Sequence, residues 1–232
     1  MKLVHPALSR PLAFSEDVVQ VLTVESPRLF RDMYLDLVRQ SEGGEGQFLL
    51  SQSDVPLDGA LCLHVVSDYA HLQPTDRKIA LRLQKLVLRT AQEMMREETE
   101  ELNRMVQWYV GRLAEQMEYV VDFELNDPLP ILLKGLNFRV DLTDLSPLEG
   151  LMEHLRLFHD LFPNQCFVLV HAKLFFEGAE LLELYKMAQY KKWTLLLLEG
   201  GHPFERLEGE QHLLIDSDLC EIRQDHGLEP SP

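Results

Sequence analysis

Five basic side chains recur at a spacing that gathers them on one side of a helix: Lys78, Arg82, Lys85, Arg89 and Arg96. At about 100° per residue they share one narrow sector. Ile79, Leu83, Leu86, Val87 and Met94 fall on the opposite side. Residues 76–92 hold five basic residues against Asp76 alone, a local balance of five minus one, or +4, in a chain of formal net charge −16. A row of guanidinium and ammonium groups can lie along a phosphate backbone, giving affinity without sequence readout and weakening steeply with salt. Few aromatic residues interleave with it, which favours duplex backbone contact over stacking on single strands. The same row also suits the solvated face of an amphipathic helix, and the residue types alone leave both open.

A second constellation is acidic: Glu115, Glu118, Asp122, Glu124 and Asp127. Hard oxygen ligands gathered in a helix-to-loop segment suit Ca²⁺ better than Mg²⁺, because Ca²⁺ accepts more ligands in looser geometry. The glycine and ligand periodicity of an EF-hand is absent. Ordinary surface charge in an acidic protein is the simpler account of the cluster on the residues alone. Glu93, Glu97, Glu98, Glu100 and Glu101 read as a solvated helix face, with Glu100 and Arg104 spaced for an i,i+4 pair.

No catalytic constellation assembles. The glycine-rich Ser41–Gly46 lacks GxxxxGK[ST] and its phosphate-reaching lysine, and reads as a polar turn. There is no GxSxG elbow. His154 and His159 lie five apart, the wrong spacing for i,i+4 metal ligands. His171, after an apolar run, reads as a capping or core residue; His202, in Gly200-Gly201-His202-Pro203, follows a strand at a place where α/β proteins bind ligands. The three cysteines, Cys62, Cys166 and Cys220, are far apart and form no CxxC pair, which argues against a disulfide frame or a structural zinc.

The elements that must position these residues are legible in outline. Val18–Val24 is strand-like, and Ser26-Pro27 caps a helix running toward Gln40. Gln47–Leu50 and the run Ala60–Val66 read as strands. From Thr75 to about Val121 there is no proline and one glycine, so two long helices or one broken pair is expected. Asp127-Pro128-Leu129-Pro130 stops them; a short helix or turn at Leu132–Leu136 and a strand-like Asn137–Leu142 follow. Ser146-Pro147 opens a helix to about Phe162, Cys166–His171 reads as a strand, Glu177–Tyr190 as a helix and Trp193–Leu198 as a strand. Short apolar runs alternating with helices predict parallel strands joined by crossovers. A smaller strand pair near His212–Ile222 closes the set, and residues 224–232 read as a frayed tail. The expected organisation is an α/β head from 1–72 and 146–232, with a helical leg, 73–145, inserted in it. No apolar stretch approaches a membrane span and the N-terminus lacks a signal-peptide h-region, so the expected compartment is the cytoplasm.

In that order and length the chain resembles the Csn-two family of CRISPR-associated proteins, accessory adaptation factors of type II-A systems. The likeness is carried by LCLHVVSDYAHLQPTDRKIALRLQKL, EYVVDFELNDPLPILLKGLNFRVD, LSPLEGLMEHLRLFHDLF, FVLVHAKLFF and WTLLLLEGG. It implies a head like a P-loop ATPase core that lacks the nucleotide-binding motif, a mostly parallel sheet and an inserted α-helical leg. It further implies a homotetrameric ring that binds Ca²⁺ and holds double-stranded DNA, preferentially at ends. Such rings act with the adaptation integrase and the effector nuclease in spacer acquisition and are not known as enzymes. Glu118, Asp122 and Glu124 stand where the family's calcium-binding segment is expected, with Asp127 beside them. Val120 and Asn126 replace acidic residues common there, and arginine takes part of the load that lysine carries in relatives. Two other function classes stay open on the residues alone: a protein-interaction scaffold whose leg pairs with a partner helix, and a nucleotide-dependent enzyme.

Overall fold

Apolar runs too short for helices become strands, and the capped segments between them become helices. In the computed structural model, residues 1–72, 77–123, 127–136 and 138–224 are described. The N-terminal part holds β1 (Lys2–Val4), β2 (Leu12–Ala13), β3 (Val19–Val24), α1 (Pro27–Ser41), β4 (Leu49–Gln52), β5 (Val55–Pro56), α2 (Gly59–Cys62) and β6 (Leu63–Val66). The middle is helical: α3 (Arg77–Met94), α4 (Arg96–Glu115) and α5 (Leu129–Gly135). The remainder runs α6 (Pro147–Leu161), β7 (Cys166–Val170), α7 (Ala172–Phe175), α8 (Gly178–Lys191), β8 (Thr194–Gly200), β9 (Glu210–Ile215) and β10 (Glu221–Gln224).

The chain is a mixed α/β protein whose larger sheet is mostly parallel. Its strand order is β10-β9-β3-β8-β7-β6. All neighbours are parallel except the edge pair β9–β10. Both faces are covered, which is why its strands are continuous apolar runs rather than alternating ones. Along β8, Leu196 and Leu198 join the core layer that holds Met33 and Leu37 of α1. Leu195 and Leu197 point the other way, into the layer holding Leu151 and Leu155 of α6 and Leu181 and Leu184 of α8. A smaller antiparallel sheet, β2-β1-β4-β5, adds Leu3, Leu12 and Leu50 to the first layer.

Local signals explain the helix starts. Ser26 accepts from the Leu29 N–H at 3.4 Å, with Pro27 at the first helical position. Ser146 and Glu149 form a reciprocal capping box ahead of α6. Two expectations need correcting. Ala60–Val66 is not one strand: Asp58 accepts from the Ala60 N–H and turns Gly59–Cys62 into a helical turn, leaving Leu63–Val66 as β6. Residues 138–142 form no strand, and just beyond them Leu145 N–H donates to Leu142 O in a turn.

By contacts the chain divides into two units, Gln73–Asp141 on one hand and Met1–Leu72 with the segment from Leu142 onward on the other. The second boundary falls at Leu142 instead of residue 146. Within the helical unit α3 packs on α4 and α5. Among its described residues the buried ones are Ile79, Pro128, Leu129 and Leu133.

Candidate nucleic-acid interface

α3 has no glycine or proline and carries basic residues on a face that the helical period keeps together. Arg82, Lys85 and Arg89 are exposed, while Leu83 and Val87 are half-buried. The backbone places Lys78 in phase with them; its side chain lies outside the described residues. The apolar side is less covered than expected, since Leu86 is 42% and Met94 81% exposed.

Arg96 does not belong to the row. α3 ends at Met94, and Met95, at φ −126 and ψ 42, breaks the helical path. Thr99 Oγ1 donates to the Ala91 carbonyl at 3.2 Å. Eight residues of straight helix span about 12 Å, so that bond requires a sharp bend. Arg96 opens α4 and pairs with Glu100 at 3.0 Å. Arg89 also has a carboxylate partner, Glu93, at 2.8 Å. Exposed i,i+4 pairs of this kind are worth only ~0.3–0.5 kcal/mol and yield readily to a stronger anion.

The acidic residues are dispersed. Glu118 and Asp122 are exposed in non-helical chain beyond α4. Asp127 Oδ1 accepts from the Leu129 N–H at 3.1 Å and from Asn103 Nδ2 at 3.4 Å, so it serves the start of α5. Glu124 lies outside the described residues. Among the described residues no group of three or more His, Cys, Asp or Glu is placed to hold a metal ion. The described carboxylates therefore do not fit a calcium site by themselves.

α4 presents an uncovered apolar seam. Leu102, Met105, Tyr109 and Leu113, spaced for one helix face, are 39–58% exposed, and Trp108 nearby is 66% exposed. A run of this size on a helix exceeds scattered surface apolarity and marks an interaction face.

The head holds polar groups that pattern reading missed. Glu210, fully buried at the start of β9, receives Lys173 Nζ at 2.8 Å, Tyr185 OH at 2.5 Å, the Leu207 N–H at 2.8 Å and lies 2.6 Å from His212 Nε2. Burial pushes its carboxyl up, but these hydrogen bonds outweigh burial and hold it below the usual carboxylate range. Glu199, on β8, is 0% exposed; burial pushes its carboxyl up to about 7, against the pull of the Lys173 N–H. The signal was present in Leu195-Leu196-Leu197-Leu198-Glu199, an acid closing a buried strand, but the following glycines read as a loop.

Of the histidines considered from sequence, His154 is buried and bonded to His64, Nε2 to Nε2, at 2.8 Å. His171 sits in left-handed geometry, φ 56, at the junction of β7 and α7, and its side chain makes no capping bond. His202 is 98% exposed, 3.8 Å from Glu25. Ser41–Gly46 is a polar turn: Gly43 adopts φ +91, and Asp36 accepts from the Gln47 N–H at 2.6 Å.

Comparison with known proteins adds a family and a fold. A family profile described as "CRISPR-associated protein (Cas_Csn2)" matches residues 40–219. Among solved structures, the chain is similar to the crystal structure of Stu0660 of Streptococcus thermophilus. The TM-score is 0.54 at 13% identity, covering 93% of this chain and 75% of that one. No curated protein matches the chain.

Proposed function

This chain belongs to the CRISPR-associated Cas_Csn2 family, with the CRISPR-associated role that membership implies, and we propose that it acts there as a non-enzymatic protein that holds double-stranded DNA. One observation carries the reading: in a chain of net charge −16, the exposed row Arg82, Lys85 and Arg89 lies in register along α3. Such a row supplies phosphate contacts and no base readout, so the expected binding is independent of sequence and dependent on salt.

The rest of the reading has separate supports. The head resembles a P-loop ATPase core in being doubly wound, and the turn from β3 into α1 is Glu25-Ser26, without a glycine-rich phosphate loop. The segment 73–141 acts as the inserted leg. The seam on α4 suits a second copy, in keeping with a homotetrameric ring, and ring assembly would multiply a row of three cations into an avid surface. Calcium dependence, spacer acquisition alongside the adaptation integrase and effector nuclease, and preference for DNA ends rest on the family resemblance; a cytoplasmic location rests on the apolar pattern of the sequence. No described carboxylate group supports calcium.

The deciding experiment is a mobility shift of linear and closed circular duplex, with Ca²⁺ or chelator, at several salt concentrations. Retention of linear duplex by the native chain and its loss on charge reversal of Arg82, Lys85 and Arg89, with the oligomer intact, is expected. Unchanged retention in the triple variant removes the row from the function. The exposed α4 seam favours one alternative, a protein-interaction scaffold; partner binding insensitive to salt with no duplex retention would establish it instead.

A further inference from the structure

At the C-terminal edge of the parallel sheet two buried polar atoms face each other without partners. Glu199 is 0% exposed; its Oε1 accepts from the Lys173 N–H at 3.0 Å, while its Oε2 has no hydrogen bond. His171 Nδ1 is likewise buried and unpaired, 3.8 Å from that oxygen. A buried polar atom left unsatisfied costs about 1–3 kcal/mol, so two such atoms side by side need an account.

The surroundings hold the pair in place. His171 donates its backbone N–H to Leu198 O at 3.0 Å. Its ring packs on Phe30 of α1 at 4.7 Å between centroids, and Gly200 leaves it room: a Cβ there would lie 3.0 Å from the His171 ring. The side chain as a whole is 40% exposed, so the imidazole touches solvent on one side and the buried carboxyl on the other. The charged and titratable groups that face Glu199 are Lys173 from α7, Glu210 from β9, Tyr185 from α8 and Tyr69 from the segment after β6. Lys173 Nζ is already bound to Glu210 Oε2 and the Glu205 carbonyl, and Tyr69 OH donates to Val170 O. His171 is therefore the group left to serve Oε2.

We propose that Glu199 and His171 form a proton-sharing pair, in which the solvent-facing imidazole loads and unloads the buried carboxyl and so makes the charge at this edge of the sheet respond to pH. The step is a proton transfer only. With Glu199 protonated, its Oε2–H donates to a neutral Nδ1 when the two atoms close by about 1 Å. When Glu199 ionises, the proton resides on Nδ1 of an imidazolium whose Nε2–H faces water; loss of that second proton returns a neutral ring to solvent. Elevation of the Glu199 carboxyl by burial, and depression of the His171 imidazole by the same cause, bring the two proton affinities toward each other.

The test is a titration of the full chain by NMR, reading the Glu199 carboxyl ¹³C and the His171 ring ¹³C/¹⁵N signals. The expected result is that both signals shift together over the same pH range, and that Glu199→Gln collapses the His171 response to a single simple curve. A Glu199 carboxyl that titrates in the ordinary range near 4.5 overturns the pair, as does a His171 curve unchanged in Glu199→Gln. The wild-type carboxyl signal decides the matter even if the variant folds poorly.

Discussion

His64 on β6 and His154 on α6 meet ring to ring, Nε2 to Nε2 at 2.8 Å, and His154 Nδ1 reaches the Leu72 carbonyl at 3.1 Å. One proton occupies the space between the two Nε2 atoms. Because Nδ1 of His154 must donate to a carbonyl, its Nε2 accepts and His64 Nε2 donates. Leu72 ends the first stretch of the head unit, so the pair ties down the chain where it leaves that unit.

Acid should therefore loosen the head. Burial, and the neighbouring His154, lower His64 to about 3; burial lowers His154 to about 4. Both folded values lie below the ordinary 6.5. The stabilisation is thus fully present above pH 6.5 and is lost as pH falls from there toward 4. The loss is on the order of 1–2 kcal/mol per pH unit for the two together. Denaturant unfolding at pH 7, 6 and 5 measures it. In His154→Gln the slope should fall by about half, and an unaltered slope would show that the pair is not its source.

Glu199 has the opposite sign. Its folded carboxyl lies near 7, above its unfolded value, so its contribution is complete below pH 4.5 and disappears as pH rises through 7. Glu199→Gln keeps an acceptor for the Lys173 N–H and removes the ionisable group. It should be more stable than the native chain at pH 8 by roughly 1–3 kcal/mol and closer to it at pH 5. Melting curves of the two proteins at both pH values settle the order.

Removing Lys173 should be costly. Its Nζ, on a side chain 3% exposed, neutralises the fully buried Glu210 at 2.8 Å. Lys173→Met leaves that carboxylate with Tyr185, His212 and the Leu207 N–H but no permanent cation, a loss of about 3–5 kcal/mol. A loss of stability well under ~3 kcal/mol in denaturant unfolding would show that Lys173 is not what holds the Glu210 charge.

Along α3, glutamine at Arg82, Lys85 and Arg89 should weaken duplex binding and flatten its salt dependence. About 0.9 is lost from the log–log slope for each phosphate contact removed, so up to ~2.7 for the three. Arg96→Gln should change the slope little, since the bend at Met95 and the Glu100 pair take Arg96 out of the row. Fluorescence anisotropy over a salt series separates the two variants.

The α4 seam gives a prediction on assembly. Met105→Lys and Tyr109→Lys together should dissociate the proposed oligomer without loss of helix, because neither side chain is buried within the chain. Sedimentation velocity reads the state, and far-UV circular dichroism the helix. An oligomer that survives both substitutions would place its interface elsewhere.

Much of the architecture was legible along the chain because its causes are local. Ser26-Pro27 and Ser146-Pro147 start helices through their own hydroxyls and fixed proline φ, and Val19–Val24 and Leu195–Leu198 announce a doubly covered sheet by composition. Errors fell at local breaks that a periodic pattern does not register. Asp58 turned part of an apolar run into helix, and Met95 broke a period that had carried Arg96 into the row.

The sequence by itself determined the α/β alternation, the helical middle segment, the family likeness and the basic phase of Lys78, Arg82, Lys85 and Arg89, since each follows from residues within a few turns of one another. Tertiary structure alone decided which polar groups are sealed in the head. Glu210 and His154 look like ordinary surface residues in one dimension, and Glu199 and His64 show only that they adjoin apolar runs, not what they meet there. Many of their partners are far off in sequence: Lys173 is 26 positions from Glu199, Tyr185 and Lys173 are 25 and 37 from Glu210, and His64 is 90 from His154. What shifts their proton affinities is low dielectric and the company of those partners, and both exist only once the sheet and its helices have closed over them.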